Sequence, residues 1–378
     1  MSGAFAREAL RAARCVVVKI GSALLADRAA TGDAFSNFAA QASRLRGTGK
    51  DVVVVSSGAI ALGLLPLGLS ERPKDLASLQ AAAAAGQSRL MWRWAEAFAQ
   101  HNTDVAQVLL THPDLKDRRR YLNARQALMR LKQAGVVPIV NENDTVSVDE
   151  IKLGDNDTLA AAICGLIGAD VVVLLTGAAG LFTADPSLDS SAVRVPVVEH
   201  LTEQVRALAG SAARFGTGGM ITKLDAAAVA QRHGAATVIA PGREPDVLAR
   251  IFAGDDVGTL ITAPAEARGS ARKRWIATAL RPKGTLYVDA GARAALKKHG
   301  SLLPAGVIEV EGAFDIGDAV AIADASDRVV FARGLAQASA DIARRIVGKR
   351  SHDARALLAG AGLEPPDELV HRDDLVIL

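Results

Sequence analysis

The chain has 378 residues, of which 50% are apolar, 22% charged and only 4% aromatic, and 44 Lys and Arg against 41 Asp and Glu leave a formal charge of +3. Such a length outgrows a single core and predicts two domains, while the near-balance of charge gives no basic field that argues for nucleic acid or a membrane surface. Cys15 and Cys164 lie inside apolar runs and the seven histidines are scattered, which excludes a disulfide framework and zinc-ligand spacing.

The opening segment, MSGAFAREALRAAR, has no apolar stretch of signal-peptide length and reads as a solvated lead-in. The longest apolar runs, such as Leu159–Ala169, fall short of a membrane span. A cytoplasmic protein is the expectation.

Short Val-rich runs alternate with Ala-rich amphipathic stretches. Cys15–Ile20, Asp51–Val55, Val105–Leu110, Val136–Val140, Val171–Leu175 and Thr237–Ala240 read as buried strands. Parallel strands need a crossover, usually a helix, so this rhythm predicts an α/β domain with a mostly parallel sheet sandwiched by helices over residues 1–265. Ligands in such sheets bind at the carboxyl ends of the strands.

Lys19 ends the first strand ahead of Gly21 and Ser22, which sets an ammonium at the mouth of the sheet; a solvated strand-end Lys is the plainer reading. Ser56, Ser57 and Gly58 close the second strand and suit either a helix N-cap or an anion-binding helix start. Asn141–Asp157, NENDTVSVDEIKLGDND, is the densest polar stretch. Its oxygens suit an ammonium, with Asp144 and Asn156 placed to hold an amino group. Asp155 and Asp157 suit orienting lysines or assisting magnesium. The same stretch also reads as a hairpin over 146–153 with Asp157 capping the next helix.

Thr176–Pro186 leaves a Val-rich strand and reads as a plain connecting loop or as a bed for an adenine nucleotide. Walker A and G-x-G-x-x-G signatures are absent. The remaining phosphate candidate is Gly216–Lys223, GTGGMITK, where glycines bare backbone N–H groups at a helix entry and Lys223 adds a charge. A boundary is predicted near Thr262, in a polar linker. Beyond it, residues 275–378 read as a smaller β-rich module with strands at Thr285–Val288, Val307–Val310, Ala319–Ile322 and Val329–Ala332 and one helix at Gly291–His299.

Taken in order, VVKIGS, VSSGAIALG, GQSRL, LNAR, NENDTVSVDEIKLGDND and GTGGMITK resemble the amino-acid kinase family in its glutamate 5-kinase branch, over nearly the whole chain. KRW at 273–275, SLLPAGV at 301–307 and HRDD at 371–374 resemble a PUA domain. The resemblance implies the amino-acid kinase fold and ATP-dependent phosphorylation of the γ-carboxylate of L-glutamate, the first step toward proline. By matching position it implies that Lys19 and the loop Thr217, Gly218, Gly219, Met220, Ile221, Thr222 and Lys223 contact the phosphates of ATP. It also implies that Ser57, Asp144 and Asn156 bind glutamate and that Thr176 and Gly177 line the nucleotide site. Mg2+ accompanies ATP, and no residue is assigned as a metal ligand. The chain departs from the family at Gly177, where Asp is usual, and at Phe182, where Tyr is usual. A homo-oligomer (dimer or tetramer), feedback inhibition by proline and hand-off to glutamyl phosphate reductase are further implications.

The chemistry is compatible with the absence of a catalytic dyad. A carboxylate with a reference pKa of about 4.3 is already a nucleophile at neutral pH. The obstacle is like-charge repulsion, about 4 kcal/mol at 4 Å for an effective dielectric near 20. Lys19 and Lys223, oriented by Asp157, are the expected remedy. Two competing readings are a sibling kinase acting on aspartate, N-acetylglutamate or UMP, and an RNA-binding PUA protein, against which the missing aromatic-basic interleaving argues.

Overall fold

The computed structural model describes residues 3–25, 33–146, 155–210, 219–263, 282–298, 300–359, 366 and 368–378. Two compact units divide the chain, residues 1–268 and 269–378.

The first unit holds an eight-stranded sheet: β1 (Cys15–Ile20), β2 (Asp51–Ser56), β3 (Val105–Leu110), β4 (Val137–Glu142), β5 (Val171–Thr176), β6 (Val197–Val198), β7 (Ala236–Pro241) and β8 (Thr259–Ile261). Their order is β3-β4-β2-β1-β5-β7-β8-β6. Every pairing is parallel except β7 with β8. The long strands stand within two residues of their expected ends. The 2-residue β6 and the 3-residue β8 escape a reading based on apolar runs, because strands this short carry no periodic signal.

Side chains alternate across a strand, and here the alternation feeds two cores. Val16, Val18 and Ile20 of β1 face one core with Phe35, Phe38, Leu90 and Trp94 of the helices Ala34–Gly47 and Leu76–Ala99. Cys15 and Val17 face the other, built with Leu159, Ile163 and Leu224 of the helices Asp155–Ile167 and Met220–Arg232. Lys19 has the parity of Cys15 and Val17. The sheet's own pleat therefore turns its ammonium toward the first turns of those two helices.

Asp33 caps the Ala34–Gly47 helix and Asp75 caps the Leu76–Ala99 helix, each carboxylate accepting a backbone N–H of the first turn. The serines at the end of β2 do something else. The short helix Ala59–Gly63 is capped by Gly58 in the left-handed region, at φ 114°, with no side-chain bond. Of the two readings of these serines, the N-cap one is thus set aside by a glycine turn, which leaves the Ser57 side chain to other partners.

The second unit carries a five-stranded sheet of β9 (Gly284–Val288), β10 (Val307–Gly312), β11 (Ala319–Asp324), β12 (Val330–Ala336) and β13 (Val370–Ile377), ordered β10-β9-β11-β12-β13. Only β9 with β11 is parallel. Its separate core includes Leu286, Val288, Phe314, Val320, Ile322 and Leu358. The expectation of a single helix is corrected: besides Ala290–Lys297, the helices Ala340–Ile346 and Ser351–Ala359 are present. The HRDD stretch lies in β13, and the polar linker and the KRW stretch lie outside the described residues. Among the described residues no helix is long and apolar enough to cross a membrane.

Candidate active site

The carboxyl ends of β1, β2, β4, β5 and β7 open on one edge of the sheet, with β1 central and the chain departing to either side of it. The predicted site residues gather there. Asp157 is buried at the third position of the Asp155–Ile167 helix, not ahead of it, so the expected cap role is corrected. Its carboxylate instead bridges two lysines. Lys19 Nζ lies 2.6 Å from Oδ1 and Lys223 Nζ 3.2 Å from Oδ2. Thr222 adds its hydroxyl 3.4 Å from Oδ2 while donating to the Gly219 carbonyl at 2.8 Å.

All three charges are nearly excluded from water, with Lys19 8%, Asp157 0% and Lys223 6% exposed. Burial pushes the Asp157 carboxyl up, but the Lys19 and Lys223 ammonium groups outweigh it and hold it below the usual carboxylate range. Burial pushes the Lys223 ammonium down, with Asp157 opposing and Lys19 reinforcing the fall. Two cations share one anion. Both ammonium groups are held against the shared carboxylate in a desolvated site.

The loop expected to hold phosphate is described from Gly219 onward. Gly219 is the N-cap of the Met220–Arg232 helix, without a side-chain bond, so Met220, Ile221 and Thr222 form its first turn and present orphan backbone N–H groups. Thr217 and Gly218 lie outside the described residues, as do residues 147–153 of the hairpin expected over 146–153.

One residue before Asp157, Asn156 points to the other half of the site. Its Nδ2 donates to Ser57 Oγ at 2.9 Å and to Asn141 Oδ1 at 3.0 Å, and its Oδ1 accepts the Glu142 backbone N–H at 3.3 Å. Asp144 follows β4, and its carboxyl is shifted upward. Burial and then the Glu142 charge raise it to about 6, with Arg72 opposing. On the far side, Thr176 ends β5, and its carbonyl accepts the Gly242 N–H at 2.8 Å. A methyl group built on Gly177 would stand 3.8 Å from the Arg243 guanidinium. Phe182 pairs with Arg194 in an isolated antiparallel bridge.

The sequence profile of the Amino acid kinase family matches residues 14–240, and that of the PUA domain matches residues 284–358. The chain belongs to the amino acid kinase family. It is 51% identical to "Glutamate 5-kinase" of Myxococcus xanthus over 98% of both chains. It is 49% identical to the protein of that name from Chromohalobacter salexigens, again over 98% of both. Against that of Cupriavidus metallidurans it is 48% identical over 97% of this chain and 98% of the relative.

Several neighbours of the predicted site residues received no role from the sequence, although two of them open the acidic-amide motif. Asn141 is buried and bonded to Gln87, and Glu142 loads the acidic pocket from β4 with His112 3.7 Å from its carboxylate. Arg243 reaches Gly177 from the loop after β7. Each is polar and ordinary in sequence, and only the strand order makes them neighbours.

Proposed function

We propose that the chain transfers the γ-phosphoryl group of ATP to the γ-carboxylate of L-glutamate, forming L-glutamyl 5-phosphate at the start of proline biosynthesis. The observation that carries the reading is the Lys19–Asp157–Lys223 bridge beside Ser57 and Asn156. One helical turn, Asn156 and Asp157, serves both halves: Asn156 reaches toward the acceptor side and Asp157 toward the donor side.

In this reading the triphosphate lies against Lys19, Lys223 and the first-turn N–H groups of the Met220–Arg232 helix, while Thr176 and Gly177 border the nucleotide. Asp157 fixes the direction of both ammonium groups, so no reorganisation is needed as charge builds on the transferred group. Magnesium carried on the nucleotide would supply neutralising charge to its phosphates, and no residue is assigned as its ligand. Ser57 and Asn156 supply polar atoms for the substrate, and Asp144 takes its α-ammonium. Proximity then completes the task, because the acceptor carboxylate needs no base.

The free ammonium separates this substrate from N-acetylglutamate, and Asp144 favours the charged amine. The test is ADP release and hydroxylamine trapping of the acyl phosphate with L-glutamate, N-acetylglutamate, aspartate and UMP. Turnover is expected with L-glutamate, and N-acetylglutamate turning over as well would overturn the reading. Lys19→Ala is expected to lower kcat by about 10²–10³, the usual loss for one transition-state donor, with the circular dichroism spectrum unchanged. The same reading includes a cytoplasmic homo-oligomer inhibited by proline, which passes its labile product to glutamyl phosphate reductase. Sedimentation and proline titration test the first two.

A further inference from the structure

The Gly86–Leu90 stretch, GQSRL, has no part in the chemistry above, yet one of its side chains reaches the acceptor half. Gln87 projects from the Leu76–Ala99 helix, and its Oε1 accepts the Asn141 Nδ2 at 3.0 Å. Asn141 is 2% exposed and passes the bond on, its Oδ1 accepting from Asn156 Nδ2 at 3.0 Å. Asn156 Nδ2 also donates to Ser57 Oγ at 2.9 Å. At the outer end, Gln87 Nε2 points to Gln107 Oε1 at 3.4 Å on edge strand β3.

A carboxamide has a donor end and an acceptor end, so a run of them has a direction. We propose that Gln87 is a positioning residue of the acceptor site, holding Asn141 and through it Asn156 in the one orientation that makes the Ser57 hydroxyl a donor to the substrate carboxylate. The direction is enforced from both ends. The Glu142 backbone N–H can only donate, so it claims the Asn156 oxygen at 3.3 Å and turns the Asn156 amino group toward Ser57 and Asn141. Asn141 must then present its oxygen to Asn156, which points its own amino group at Gln87. Ser57 Oγ, already accepting from Asn156, keeps its proton to give away.

Without an acceptor at position 87, a buried Asn141 amino group loses its partner, a deficit worth relieving by rotation. Rotation sets two amino groups face to face and loosens Asn156. The relay runs through Gln87, Asn141, Asn156 and Ser57, so its loss is expected in the acceptor half rather than at the Lys19–Asp157–Lys223 bridge.

The proposal rests on L-glutamate being the acceptor, and the experiment separates the two claims. Steady-state kinetics of the full-length protein are compared for wild type, Gln87→Met, Gln87→Ala and Gln87→Glu. Met and Ala are expected to raise the KM for glutamate about tenfold, with the KM for ATP and kcat within about twofold of wild type. Glu, whose carboxylate still accepts from Asn141, is expected to return the glutamate KM to within about threefold. Two removal variants guard against poor folding of either, since Ala is the better helix former and Met the closer in volume. An unchanged glutamate KM, an equal rise in both KM values, or a Glu variant as impaired as Met overturns the relay. A wild type without glutamate turnover overturns the functional reading instead.

Discussion

At the scale of single residues the site is defined by charges held against their preference. Asp144 has its carboxyl raised to about 6 by burial and by Glu142, so in the free protein ionisation at neutral pH is unfavourable relative to water. A folded value above the unfolded one means that this group favours folding when protonated. Its contribution is therefore lost as pH rises from about 4 through about 6. In the proposed reading substrate binding runs the other way, since the α-ammonium needs the ionised form. The glutamate KM is expected to climb as pH falls through about 6, with the ATP KM nearly level. Asp144→Asn is expected to raise the KM at all pH values and to erase that inflection. A pH series of initial rates reads both outcomes.

At the scale of elements, the acceptor half depends on how closely two helices meet. Gly63 and Gly86 lock reciprocally: a Cβ on Gly63 would stand 1.8 Å from the Ala82 carbonyl oxygen, and one on Gly86 the same 1.8 Å from that of Ala59. Backbone cannot yield as a flexible side chain does, so the helices would part. Gly86→Ala is expected to cost about 1–3 kcal/mol, seen as a lower urea midpoint, and to raise the glutamate KM because Ala59 follows the Ser57–Gly58 turn directly. A wild-type midpoint and KM would show the helices to be free to separate. The strands themselves were legible, since Val runs bounded by Gly and Ser mark strands buried on both faces. Of the two readings of the serines at β2, the N-cap one fails for a definite cause. Trp94 Nε1 donates to Ser56 Oγ at 2.9 Å in the core, Asn156 engages Ser57, and Gly58 carries the turn, so neither hydroxyl is left for the helix.

At the scale of the whole molecule, long-range bonds close each unit upon itself. Arg7, 3% exposed, donates to the carbonyls of Pro196, Asp255, Val257 and Gly258 at 2.8–3.1 Å and pairs with Asp256. It ties the first helix to the loop ahead of β8. Arg7→Met is expected to destabilise the first unit by about 3 kcal/mol, because several buried carbonyls lose their donor together; denaturant titration gives the value, and a loss under about 0.5 kcal/mol refutes the role. Both cores flanking the large sheet are built from residues up to Ala263, and every placed site residue lies there too. A fragment of residues 1–268 is accordingly expected to fold and to retain phosphoryl transfer with kcat within about tenfold of the full chain. A fragment without ADP release would assign the second unit a direct part in catalysis.

Local composition alone determined the alternating strands, the glycine-led helix entry at 219–223 and the acidic-amide stretch after β4, because backbone propensity and burial act over a few residues. The tertiary structure decided which of these meet. Lys19 and Lys223 share one carboxylate only because the pleat of β1 and the packing of two helices converge on the same face of the sheet. Gln87, Asn141 and Arg243 are brought beside the predicted site residues only by strand order, since a polar side chain acquires meaning from its partners and those partners lie far away along the chain.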